Sequence, residues 1–154
     1  MKIDIPGKGT AEIHHALCDL NGTIAAYGKI IEGVPELLRR IQDELKLDVY
    51  LLTGDTNGNG ARIAEELGIL LRKTANVKEK AEVALELGAE HCVAIGNGCI
   101  DAELFKVAGL SLAVMESEGL ATKAALQSDV IFRSIHETLL FLLTKGSVIA
   151  TLRE

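Results

Sequence analysis

Short apolar runs alternate with amphipathic segments along almost the whole of this chain, and that alternation restricts the fold more than any other feature. The runs read as strands over residues 14–20, 47–52, 69–71, 92–95, 110–114 and 130–132. Between and after them, helical periodicity predicts helices over 35–45, 60–67, 78–87, 99–107, 120–127 and 134–143. Pro35 suits a first helical turn, and Gly68, Gly88 and Gly109 stand where helices stop. Strands that alternate with helices of about ten residues cannot pair as hairpins, so they predict an α/β fold with a mostly parallel central sheet covered on both faces.

The first residues depart from that rhythm. Residues 1–6 and 10–13 alternate apolar and polar side chains around Gly7-Lys8-Gly9, which predicts an N-terminal β-hairpin over 1–13. No linker or low-complexity tract follows, so 154 residues read as one domain. A formal charge of -6, no Trp and no local Lys/Arg cluster argue against nucleic acid as a partner. No apolar run approaches the roughly 18–20 residues that span a bilayer. The start, Met1-Lys2-Ile3-Asp4, lacks the apolar core of a secretory signal, and three cysteines (Cys18, Cys92, Cys99) show no C-x-x-C spacing. The expectation is a soluble, cytoplasmic, membrane-free protein with reduced thiols.

In a parallel sheet, ligands bind where strands end, at their carboxyl edge. Four segments fall there or close by. Asp19-Leu20-Asn21-Gly22-Thr23 sets an acid at the end of an apolar run, where a carboxylate can attack phosphorus. Leu52-Thr53-Gly54-Asp55 ends the next strand and supplies a hydroxyl and backbone amides for phosphate oxygens. Lys80, early on a helix, can neutralise developing charge. Gly96-Asn97-Gly98-Cys99-Ile100-Asp101 ends a third strand and opens a helix, with further oxygen donors for Mg²⁺. Each has an ordinary reading as well. Thr-Gly-Asp and Gly-Asn-Gly are turn formers, a helical lysine is usually solvated, and Asp101 could serve the helix dipole. Their order and spacing favour one pocket for phosphoryl transfer.

These motifs resemble those of the haloacid dehalogenase (HAD) superfamily, and among its members the phosphorylation domain of P-type ATPases. The similarity runs from about residue 16 to 132, and Thr53-Gly54-Asp55 is the part that favours the P-type ATPases. The resemblance implies a single Rossmann-like domain over 1–154 with no large cap. It implies Asp19 as nucleophile and Mg²⁺ ligand, the Asn21 carbonyl as a second ligand, and Thr53, Gly54 and Lys80 as phosphate-binding. Asn97 and Asp101 would complete or support the metal site. Two positions depart from the family pattern. Asn21 stands where a phosphatase has an acid/base Asp, whose loss typically removes about 10²–10⁴-fold in rate. Asn97 stands where the family has a metal-binding Asp. The stretch between Asp19 and Thr53 is too short to hold an inserted domain. An ion pump is therefore excluded, and an open site is expected unless a second subunit covers it, which points to a homo-oligomer or a macromolecular phosphosubstrate.

The other polar candidates carry less. His14 and His15 are neighbours in a predicted strand and should face opposite ways, while His91 and His136 lack partners at ligand spacing. Glu116-Ser117-Glu118 reads as a solvated loop. The functional expectation is a slow Mg²⁺-dependent phosphohydrolase acting through an aspartyl phosphate on Asp19. The alternative is a catalytically degenerate domain that binds a phospho-ligand or a protein.

Overall fold

The structure is a computed structural model that describes residues 1–54 and 58–154. Its centre is a six-stranded parallel sheet built from β3 (His15–Asp19), β6 (Asp48–Thr53), β7 (Leu70–Lys73), β8 (Cys92–Gly96), β9 (Leu110–Val114) and β10 (Val130–Phe132). The strand order is β10-β9-β8-β3-β6-β7, which places β3 in the interior between β8 and β6. Every residue of β8 and of β9 is buried, as expected for parallel strands with helices on both sides.

The period of two along each strand sorts side chains between two apolar layers. Ala16, Cys18, Val49, Leu51, Val93 and Ile95 face one layer, shared with α1 (Val34–Leu45), α2 (Asn59–Leu67) and α6 (Ile135–Leu143). Leu17, Leu52, Ala94 and Ala113 face the other, shared with α3 (Val77–Leu87), α4 (Ala102–Val107) and α5 (Thr122–Ala125). Asp19 lies two residues beyond Leu17, so the same alternation turns it toward α3.

Helix periods and glycine stops locate most elements to within one or two residues. Three differences have physical causes. The helix expected over 99–107 begins as a short 3-10 turn at Cys99–Asp101, because the Asp101 carboxylate bonds back to the start of the turn. The helix expected over 120–127 is only the short α5, because Ala121 N–H is drawn to Asn97 O just beyond β8 and residues 126–128 follow α5 as a turn bonded back to it. A last helix, α7 (Lys145–Leu152), follows α6 after a bend; its apolar residues form too short a run to predict it, but Val148 and Leu152 join the core. Between β3 and α1 the chain also forms a small hairpin of β4 (Ala25–Ala26) and β5 (Lys29–Ile30).

The N-terminal hairpin, β1 (Lys2–Ile5) with β2 (Gly9–Glu12), is a separate two-stranded sheet. It buries Ile3 and Ile5 in the same core as α7, and Glu154 N–H donates to Pro6 O at 3.0 Å. Among the described residues no single helix is long and apolar enough to cross a membrane; α6 and α7 pass that test only as a pair bent by 100°.

Candidate active site

The register of the sheet collects the chemistry. Asp19 at the end of β3 pairs with Leu52, which puts Thr53 and Gly54 at the adjoining strand end. On the other side Cys18 pairs with Ile95, so Gly96 and Asn97 leave β8 beside Asp19. Lys80 arrives from α3, whose start is fixed by an Asn76 cap. The Asn76 Oδ1 accepts from Lys78 N–H at 3.0 Å and from Glu79 N–H at 3.2 Å.

Lys80, Asp19 and Asp101 form a closed ionic cluster. The Lys80 ammonium donates to Asp19 Oδ1 at 2.5 Å and to Asp101 Oδ1 at 2.7 Å. Lys80 and Asp101 are buried, whereas the Asp19 side chain keeps 14% of its surface. The remaining oxygen of Asp101 accepts from the N–H groups of Asn97 (3.1 Å) and Gly98 (2.9 Å). Gly96 is required for this arrangement. A Cβ there would collide with the Asp101 carboxylate.

Two carboxylates share one ammonium, and the charges respond accordingly. Burial, and then the charge of Asp101, push the Asp19 carboxyl up to about 6, against the opposing pull of Lys80. Burial alone would lower the Lys80 pKa, but the charges of Asp19 and Asp101 outweigh it and hold the ammonium above its usual range. Next to this cluster, burial and then Asp19 drive the Cys18 thiol up to about 12, so it is not a nucleophile. A buried, charge-neutralised acid aimed at an open strand end can attack an electrophile. A buried thiol cannot.

A second set of contacts ties the surrounding loops together. Thr23 Oγ1 donates to Asn97 Oδ1 at 3.2 Å, and Asn97 Nδ2 donates to Gly119 O at 2.9 Å. Tyr27, at the tip of the β4–β5 hairpin, donates through its N–H to Glu118 Oε1 (2.5 Å) and through its hydroxyl to Ser117 O (3.1 Å). Its backbone is left-handed, an unusual conformation for an aromatic residue. The 116–118 segment is thus more than a solvated loop, since Glu116 also accepts from Ile135 N–H at the start of α6. Nothing in the spacing of Tyr27 and Glu118, distant in the chain, signals this contact.

All the predicted site residues that the structure describes fall at this edge: Asp19, Asn21, Thr53, Gly54, Asn97 and Asp101 on strand ends or the loops that leave them, and Lys80 between two of the carboxylates. Asp55 lies outside the described residues. Asn21 is exposed, and its carbonyl accepts no hydrogen bond among the described residues. No cluster of three or more His, Cys, Asp or Glu side chains among them is placed to hold a metal ion. Mg²⁺ nevertheless needs only one or two carboxylates if water and phosphate oxygens supply the rest. Asp19 with the Asn21 carbonyl fits that requirement. A cavity of about 550 Å³ lies elsewhere, at the amino edge of the sheet under the N-terminal hairpin, lined by Ile3, Ile13, Leu110 and Val148 among others. It contains none of the residues above, so it is separate from the place the chemistry marks.

Comparison with known proteins agrees with the parallel α/β fold. The chain is similar to 3-deoxy-D-manno-octulosonate 8-phosphate phosphatase from Yersinia pestis, with 21% identity, 96% of this chain and 95% of that one covered, and a TM-score of 0.68. The same phosphatase from Moraxella catarrhalis, in complex with magnesium, phosphate and KDO, gives 20% identity, 93% and 95% coverage and a TM-score of 0.66. At such identity these likenesses establish the fold. An uncharacterized protein of Methanocaldococcus jannaschii is 35% identical over 82 residues, covering 53% of this chain and 88% of that protein. The family model for haloacid dehalogenase-like hydrolases matches residues 1–109, a span that contains Asp19, Thr53, Lys80, Asn97 and Asp101. With the parallel sheet and the motif residues gathered at its carboxyl edge, that match shows that the chain belongs to the haloacid dehalogenase-like hydrolase family.

Proposed function

We propose that this chain is a slow, Mg²⁺-dependent phosphohydrolase that acts through an aspartyl phosphate on Asp19, as a relative of the P-type ATPase phosphorylation domain. The observation that carries the reading is the Asp19–Lys80–Asp101 cluster, in which a buried lysine holds one carboxylate at an open strand end and is itself held by a second, buried carboxylate. A carboxylate oxygen of Asp19 attacks phosphorus, the bond from phosphorus to the leaving-group oxygen breaks, and that oxygen takes a proton from water. Water then attacks the phosphorus of the acyl phosphate, releasing inorganic phosphate and restoring the carboxylate.

Lys80 offsets the charge that builds on the phosphoryl oxygens, and Thr53 with the Gly54 backbone receives them. Asp101 keeps Lys80 charged and in place. Bound at Asp19 and the Asn21 carbonyl, Mg²⁺ would add charge neutralisation of the phosphoryl group. Asn21 cannot move a proton, so the leaving group and the attacking water rely on solvent, and both steps are slow. With only short elements between β3 and α1, access favours a large phosphosubstrate or cover from a second copy of the chain.

The test is Mg²⁺-dependent hydrolysis of an aryl phosphate by the wild type and Asp19→Asn, prepared side by side. Activity that disappears in the variant supports the nucleophile. Equal or absent activity in both favours the second reading, a non-catalytic phosphate- or protein-binding domain, for which the amides at 21 and 97 speak.

A further inference from the structure

We propose that Asn97 is a positioning residue that clamps two loops beside Asp19, and that the site consequently takes up a divalent cation only together with phosphate. The inference deepens the phosphohydrolase reading and rests on it for the location of the phosphate.

Asn97 is engaged on four sides. Its N–H donates to Asp101 Oδ2 (3.1 Å), its carbonyl accepts from Ala121 N–H (2.8 Å), its Oδ1 accepts from Thr23 (3.2 Å) and its Nδ2 donates to Gly119 O (2.9 Å). The Gly119 carbonyl can only accept, so the atom facing it must be the amide nitrogen. An aspartate here would set oxygen against oxygen and lose the link. Asparagine therefore makes a contact that the acid cannot make. The Asp19 loop is shaped around it, for Gly22 has a left-handed backbone and a Cβ there would collide with Asn97 Nδ2.

The clamp has an electrostatic consequence. Both oxygens of Asp101 already accept from protein donors, and the side chain of Asn97 is occupied by Thr23 and Gly119. Among the described residues of these segments, that leaves Asp19, already bound to Lys80, and the Asn21 carbonyl as protein donors. Asp19, Asp101 and Lys80 together carry one net negative charge, little to hold a divalent cation against water. A phosphate supplies both the missing oxygens and the missing charge. Binding of the two is then coupled, and by linkage each strengthens the other by the same factor.

Isothermal titration calorimetry of MgCl2 into the full chain, with and without saturating inorganic phosphate, tests this directly. Mg²⁺ should bind at least tenfold more tightly with phosphate present, and phosphate at least tenfold more tightly with Mg²⁺. Asn97→Asp should bind Mg²⁺ without phosphate at least tenfold more tightly than wild type. Asn97→Ala should lower Tm, since it breaks the clamp, and should not reproduce the phosphate-free tightening expected of Asn97→Asp. Equal wild-type affinity for Mg²⁺ with and without phosphate overturns the proposal, as does an Asn97→Asp protein that is folded by circular dichroism and gains nothing. Should that variant not fold, the wild-type pair of titrations decides alone. Turnover does not enter these titrations, so a protein that shows the coupling but no Asp19-dependent hydrolysis refutes only the enzyme reading.

Discussion

The two edges of the central sheet each gather titratable groups within ion-pair reach, more tightly at the carboxyl edge and in opposite surroundings. At the carboxyl edge, Lys80 bridges Asp19 and Asp101 at 2.5 and 2.7 Å, nearly out of contact with water. At the amino edge, His14, His15 and His91 converge, with ring centres of His14 and His91 5.0 Å apart and those of His14 and His15 6.2 Å apart. Glu12, Asp48 and Glu90 surround them at 3.3 to 3.9 Å, and most of these side chains are solvated. His14 just precedes β3, which begins at His15, and its side chain is the more exposed of the two. An ion pair gains several times more where the effective dielectric falls than it does in water at the same separation.

Lys80 is where the contrast is most open to attack. Lys80→Met leaves two buried carboxylates without their cation and should cost about 3–5 kcal/mol, read by urea denaturation, together with all turnover. A loss below about 1 kcal/mol, the range of solvated pairs, would mean that the cluster is far wetter than its geometry.

The two acids should then part company. Asp101→Asn removes one partner of Lys80 and weakens the acceptor of two backbone N–H groups, so it should destabilise by about 2–3 kcal/mol. Asp19→Asn should abolish turnover and yet stabilise by about 1–3 kcal/mol at neutral pH. The sign follows from a folded-state pKa of about 6, raised from an ordinary 3.8. Proton uptake by Asp19 favours the fold fully below the ordinary value, and that advantage is lost as pH rises through about 6. The gain in the variant should accordingly vanish once pH falls to the ordinary carboxylate range. Destabilisation by Asp19→Asn at neutral pH would show that Asp19 is a structural partner of Lys80 rather than a strained functional group.

A smaller change is expected at Asn21. Supplying a proton carrier with Asn21→Asp should speed dephosphorylation by about 10- to 100-fold, part of what a positioned acid/base contributes. Tm should hardly alter, because the residue is exposed. Single-turnover release of phosphate measures the rate, and an unchanged value would place the slow step elsewhere.

The smallest effect belongs to the amino edge. Burial, against the pull of Asp48, lowers the His15 pKa below its ordinary 6.5. The neutral ring therefore stabilises the fold above that value, and the contribution is lost as pH falls through it toward the lowered pKa. His15→Gln should flatten this part of the stability–pH curve.

Much of the carboxyl edge was legible because its signals are local. A strand that ends in Asp19, a strand that ends in Thr53-Gly54 and a glycine before Asn97 each mark a place where backbone stops and chemistry begins. Lys80 was legible only by its place in the order of the four segments, since one helical lysine looks like any other until α3 is packed onto the face that Asp19 shares with Leu17. Tyr27 and the 116–118 segment were not legible at all. Their contacts join segments far apart in the chain through a carboxylate and a carbonyl that any exposed loop could offer.

Read alone, the chain of residues was enough for the parallel α/β architecture, for the carboxyl edge at which the motif residues gather, and for the acid and the hydroxyl that stand there. It was enough because strand and helix periods and glycine stops are properties of neighbouring residues. How the charges are shared came from packing. Folding spent both oxygens of Asp101 on the protein, closed Lys80 away from water and turned the Asn97 amide into a clamp between Thr23 and Gly119. Hydrogen-bond partners and desolvation depend on which distant segments arrive in the same small volume, and no run of neighbouring residues records that.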